Sequence, residues 1–142
     1  DTSFVVKFSP MDGLNVGGGI GSIGTTDSAA DDDHDTVYAT YAVGSFTVGL
    51  QQSNIDYNAA GSADEESTSF GISFAVNDDL SISYGQHNTD DTGTVDEEVS
   101  GISVGYSMGG MTIKAHKNTG DNLANTAAND SEHTEIALSW AF

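Results

Sequence analysis

The residues that could carry chemistry in this chain are few, and their spacing excludes most reactions. Serine is abundant, but no Gly-x-Ser-x-Gly stands at a strand-to-helix turn, so there is no nucleophile elbow. The run from Gly17 to Gly21 lacks the lysine and the following helix of a phosphate cradle. It reads instead as a place where a wall or a subunit packs closely. The four histidines, His34, His87, His116 and His133, show no paired metal-ligand spacing and read as solvated loop or lumen residues. With no cysteine, disulfides and thiolate metal sites are ruled out. No enzyme is expected.

What remains is charge. The stretch Asp31-Asp32-Asp33 with Asp35, and the clusters Asp64-Glu65-Glu66, Asp90-Asp91 and Asp96-Glu97-Glu98, offer hard oxygen ligands. None matches a twelve-residue calcium loop. Two expectations follow. One is weak Ca2+ or Mg2+ binding, with Asp31, Asp32, Asp33 and Asp35 as the first candidates. The other is diffuse attraction, in which a ring of acids at a mouth concentrates cations and repels anions. No other cofactor is expected. Against 22 acidic residues stand only 3 Lys+Arg, a formal net charge of -19. That excludes a nucleic-acid partner, since nothing neutralises phosphates, and a polybasic membrane anchor as well.

The elements that position these charges are extended. Strand side chains alternate between two faces, and the stretch from Thr134 onward does so cleanly. Thr134, Ile136, Leu138, Trp140 and Phe142 fall on one face, with Glu135, Ala137, Ser139 and Ala141 on the other. Eight earlier segments repeat the pattern. Phe4 to Phe8 is closed by Ser9-Pro10-Met11-Asp12-Gly13, and a glycine-thinned segment runs from Leu14 to about Thr25. Thr36 to Val43 is joined by Gly44-Ser45 to a segment from Phe46 to about Tyr57. Ile55 and Tyr57 break its parity, which predicts a bulge or an inward turn near Ser53. Phe70, Ile72, Phe74 and Val76 mark the fifth segment, and Leu80, Ile82 and Tyr84 the sixth. Ile102, Val104, Tyr106 and Met108 mark the seventh, and Met111, Ile113 and Ala115 the eighth after Gly109-Gly110.

Short turns and long polar loops alternate strictly along the chain. The segments, about 9–12 residues each, match what a tilted strand needs to cross a bilayer. The faces opposite the apolar stripe carry Ser, Gly, Thr and Ala, with the acids gathered in the loops. A soluble sandwich would place Lys, Glu and Arg on its outer face. A disordered chain of this charge would not keep a two-residue period, and one Pro in 142 residues also fits strand ladders. The fold expected is therefore all-β, an antiparallel up-and-down transmembrane β-barrel in the bacterial outer membrane, with the lipid bilayer as its partner. Lys7, Lys114, His116 and Glu135 fall on the expected lumen face. A basic patch there, facing acids elsewhere, would set up a field across the lumen.

Nine strands cannot close antiparallel first to last, and bacterial barrels are even-numbered. No signal peptide is visible from Asp1. The expectation is a single domain over residues 1–142 that forms the C-terminal portion of a larger barrel. One alternative is an eight-stranded barrel in which Phe4–Phe8 does not span, an adhesin or structural protein acting through acidic loops. Another is a soluble calcium-binding sandwich. The alternation, the Gly109-Gly110 turn, Lys114-Ala115-His116-Lys117-Asn118 and the ending Glu135-Ile136-Ala137-Leu138-Ser139-Trp140-Ala141-Phe142 resemble the C-terminal half of alphaproteobacterial general porins. The resemblance implies a sixteen-stranded barrel, a homotrimer and passive diffusion of small hydrophilic solutes and ions.

Overall fold

A computed structural model describes residues 2–24, 31–58, 62–91 and 94–141. Expectations that rest on Asp1, Thr25 or Phe142 lie outside these residues. Nine strands follow one another: β1 Thr2–Met11, β2 Leu14–Ile23, β3 Asp32–Val43, β4 Phe46–Asp56, β5 Glu65–Ala75, β6 Leu80–Asp91, β7 Glu97–Met108, β8 Met111–Asp121 and β9 Ser131–Trp140. They form one sheet in chain order, each strand antiparallel to the next. A short 3-10 turn, Leu123–Asn125, sits in the loop before β9, where no helical element was expected.

The tight turns follow from their residues. Val43 pairs Phe46 around Gly44-Ser45, and Met108 pairs Met111 around Gly109-Gly110. Gly109 and Gly110 have φ of 58° and 83°, which glycine adopts without a Cβ penalty and which suits a two-residue hairpin. Asn77 accepts hydrogen bonds from the backbone N–H groups of Asp79 and Leu80, each 2.9 Å, and closes the β5–β6 turn. β1 continues through Ser9 and Pro10 to Met11, past its expected end, and its register with β2 shifts between Phe8 and Met11. Proline has no N–H for the ladder, so an irregularity is the natural place for it.

Three expectations are corrected. There is no bulge at Ser53: the β3–β4 and β4–β5 registers run through it unbroken. Ile55 is simply an apolar residue on the polar face, opposite His34 and Glu65. The acid-rich stretches are largely strand rather than loop, since β3 begins at Asp32 and β6 runs to Asp91. The eight-stranded alternative also fails, because β1 pairs with β2 along its length from Thr2 to Phe8.

On β5 the faces sort as the alternation requires over most of the strand. Along β5, Glu65, Ser67, Ser69 and Gly71 are half-buried, while Glu66, Thr68, Phe70 and Ile72 are exposed. Many large apolar residues are uncovered: Phe70 is 40% exposed, Ile72 36%, Val104 36%, Leu138 53% and Trp140 56%. Among the described residues no hydrophobic side chain is buried. Leaving a Val, Leu, Ile or Phe in water forgoes about 1.5–3 kcal/mol each. Ten such residues would cost roughly 15–30 kcal/mol, more than the roughly 5–15 kcal/mol by which a domain is stable. A single sheet with no dry interior is not a sandwich, so the soluble alternative is overturned. No described helix is long and apolar enough to cross a bilayer, and strands are the elements that would do so.

Candidate functional site

The polar face is a wall of hydroxyls and glycines. Thr36, Ser53, Ser67 and Thr89 stand in one rung across β3 to β6. Thr36 Oγ1 and Ser53 Oγ lie 2.8 Å apart. His87 is held between Ser69 Oγ at Nδ1, 2.8 Å, and Thr89 Oγ1 at Nε2, 3.2 Å. These short side chains satisfy one another sideways and still offer donors and acceptors to water. On β2 the glycines have a local cause. A Cβ at Gly17 would come within 2.6 Å of the Tyr38 ring, so Tyr38 lies across β2 where any other residue would collide. Nearby, a hollow of about 710 Å³ is lined by Val5, Gly19, Gly21, Thr36, Ser53 and Ile55, among others.

Lys7, Lys114, His116 and Glu135 all fall on this face. Lys7 stands opposite Gly17, Lys114 opposite Gly105 and Ala137, and His116 opposite Ser103 and Glu135. They do not form one basic patch. Seven strand steps separate β1 from β8, roughly 34 Å along the sheet at about 4.8 Å per step. The third lysine, Lys117, lies on the opposite face, where its Nζ is 2.8 Å from Glu132 Oε2. Both partners of that pair are more than half exposed, so it adds little stability.

A grouping that sequence reasoning missed lies on β8 and β9. His116 Nε2 is 3.7 Å and His133 Nε2 3.6 Å from Glu135 Oε2, and the two imidazole centroids are 6.1 Å apart. The β8–β9 register makes the grouping by setting His116 against Glu135 and Asn118 against His133. Parity alone puts all three side chains on one face. That they meet depends on a register set across a long loop, which no local pattern reveals.

The acids crowd the long-loop ends. Like charges stand directly opposite one another at Asp33 and Asp56, Glu65 and Asp91, Glu66 and Asp90, and Glu98 and Asp121. Such pairs are locally unfavourable and make a dense negative rim. Tyr57 reports this field. Burial pushes its phenol above the ordinary value of 10.0, and the charges of Glu65, Asp32 and Asp91 push it further. The four candidate cation ligands are not brought together. β3 sends Asp32 to the polar face and Asp33 and Asp35 to the other. Asp32 is buried and accepts the Asn58 N–H at 2.9 Å, Asp35 accepts from Asn54 Nδ2 at 3.0 Å, and Asp31 accepts from Ser22 Oγ at 3.3 Å.

The rim is braced by the loop before β9. Asn125 Nδ2 donates to the carbonyls of Thr89 and Val95 at 3.2 and 3.1 Å, and Asn122 Nδ2 to that of Asp96 at 3.1 Å.

An apolar face turned outward, a small polar face behind it and an acidic rim on one side define the wall of an outer-membrane β-barrel. Comparison with protein families agrees: residues 1–107 match the Gram-negative porin family. The chain belongs to that family and is a protein of the bacterial outer membrane. No curated protein matches it. Among solved structures, a porin refined at 1.8 Å resolution aligns with 96% of this chain and 50% of its own, at a TM-score of 0.74 and 16% identity. OmpT of Vibrio cholerae, an outer-membrane protein folded in vitro, aligns with 98% of this chain and 50% of its own, at 0.57 and 17%. The chain spans about half the length of these structures, whose likeness is one of fold.

Proposed function

We propose that this chain forms part of the wall of a water-filled channel through which small hydrophilic solutes and ions diffuse passively, with no reaction catalysed. The observation that carries the reading is the inversion of the sheet: exposed apolar residues on one face, a serine-glycine face on the other, and no buried hydrophobic side chain among the described residues. β1 and β9 are the two ends of the strand order. An open strand edge has no partner in hydrocarbon, at a cost of several kcal/mol per unpaired backbone group. Closure with further strands removes that cost. Alignment over half of a porin's length supports a larger barrel, and the family resemblance supports sixteen strands and a homotrimer.

Selectivity in this reading comes from charge. The acidic rim raises the local cation concentration, and diffuse attraction suits its dispersed carboxylates better than one bound calcium ion. Lys7 and Lys114 temper that preference from separate places on the wall, with His116 and Glu135 beside Lys114. The test is conductance of the intact protein in planar bilayers under a salt gradient. The expected result is stepwise, cation-preferring conductance that rises with salt but less than proportionally at low salt, where the rim still gathers cations. A protein that inserts and conducts nothing, or prefers anions, would overturn the reading.

A further inference from the structure

We propose that His116, His133 and Glu135 form a binding site for a divalent transition metal ion on the polar face of β8 and β9. Three ligand atoms, two imidazole nitrogens and one carboxylate oxygen, lie within 4.8 Å of one another. Both nitrogens sit 3.6–3.7 Å from the shared oxygen. Around a tetrahedral zinc ion with bonds of about 2.0–2.1 Å, neighbouring ligands stand about 3.3 Å apart. The two nitrogen–oxygen spacings therefore close with shifts of a few tenths of an ångström, and the nitrogen pair, which lies within 4.8 Å, with one of up to about 1.5 Å, movements that half-exposed side chains can make.

Adjacent strands supply the ligands, His116 from β8 and His133 with Glu135 from β9, so the backbone ladder fixes their spacing. Imidazole nitrogen suits Zn2+, Ni2+, Co2+ or Cu2+ rather than Ca2+ or Mg2+. Three protein ligands leave a fourth position open to water or a passing solute, as catalytic rather than structural metal sites do. The site is distinct from the acidic rim and needs no channel activity to be detected.

The grouping has one competing use, a pair of His–Glu ion pairs, and the two differ in pH dependence. Metal binding needs neutral imidazoles and is opposed by protons, whereas ion pairing needs protonated ones. The only other charged group on this face of β8 is Lys114. β7 presents uncharged Gly101, Ser103 and Gly105, and Lys117 and Glu132 point to the opposite face.

The experiment is Zn2+ binding to the intact protein in detergent, measured by competition with a chromophoric chelator at pH 7.5. One equivalent should bind in the wild type beyond whatever the His116→Gln/His133→Gln double variant retains. His116→Gln, His133→Gln and Glu135→Gln should each weaken it by about tenfold or more, and Glu132→Gln should leave it unchanged. Binding to the wild type should weaken from pH 7.5 to pH 5.5. Heat-modifiable gel mobility checks that each variant folds. Should a histidine variant fail to fold, Co2+ added to the wild type and to Glu135→Gln gives the visible d–d bands of a tetrahedral site only in the former. Equal zinc uptake by wild type and double variant, equal loss in Glu132→Gln, or no difference in the cobalt spectra would overturn the proposal.

Discussion

Lys114 is one of three Lys and Arg residues set against 22 acids, so it is one of the few points at which the wall's negative field is opposed. It projects from β8 onto the polar face with no acid directly opposite, since its cross-strand neighbours are Gly105 and Ala137. Lys114→Glu changes the local charge by two and should shift the reversal potential toward stronger cation preference. An unchanged potential would remove Lys114 from selectivity. Tyr57 makes a second test at this scale. Its phenol is raised by burial and then by Glu65, Asp32 and Asp91, so it holds its proton past the ordinary tyrosine range. The raised value stabilises the fold below the unfolded pKa, and that contribution is lost as pH rises through the folded one. An ultraviolet difference titration of wild type against Tyr57→Phe should place its midpoint above 10.0. Glu65→Gln should lower the midpoint part of the way, because burial remains.

At the scale of the element, the hairpin at Gly109-Gly110 isolates one physical term. A Cβ at Gly109 would meet nothing within 4 Å, yet its φ is 58°. Gly109→Ala therefore measures chiefly the backbone cost, about 1–2 kcal/mol for a residue in the left-handed region. It should lower the urea midpoint of the detergent-folded protein without changing its gel mobility. Turns of this kind were legible in the sequence, as were the two faces of most strands, because the period of two is written in Phe70, Ile72, Phe74 and Leu80, Ile82, Tyr84. The strand ends on the long-loop side were not. Near Asp32 and Asp91 both faces carry polar residues, so alternation of hydrophobicity vanishes although the ladder continues. Ile55 misled for the converse reason, being apolar on the wet face. The meeting of His116, His133 and Glu135 lay beyond the sequence because pairing across the β8–β9 loop is fixed in space, not by neighbours in the chain.

For the whole molecule, everything depends on which face lipid covers. Outward residues such as Leu50, Ile102 and Leu138 have no protein over them, and no described hydrophobic side chain is buried elsewhere to make a core. The chain has no cysteine of its own, so single cysteines can report each face in vesicles containing the intact protein. Ser83 and Ser103 oppose one another on the polar face, while Ile72, Val104 and Leu138 belong to the apolar one. The account predicts that Ser83→Cys and Ser103→Cys react with a charged, water-soluble thiol reagent. A fluorophore attached at Ile72→Cys, Val104→Cys or Leu138→Cys before reconstitution should be quenched by brominated acyl chains. Quenching at the serine positions, with the three apolar positions open to the aqueous reagent, would contradict it.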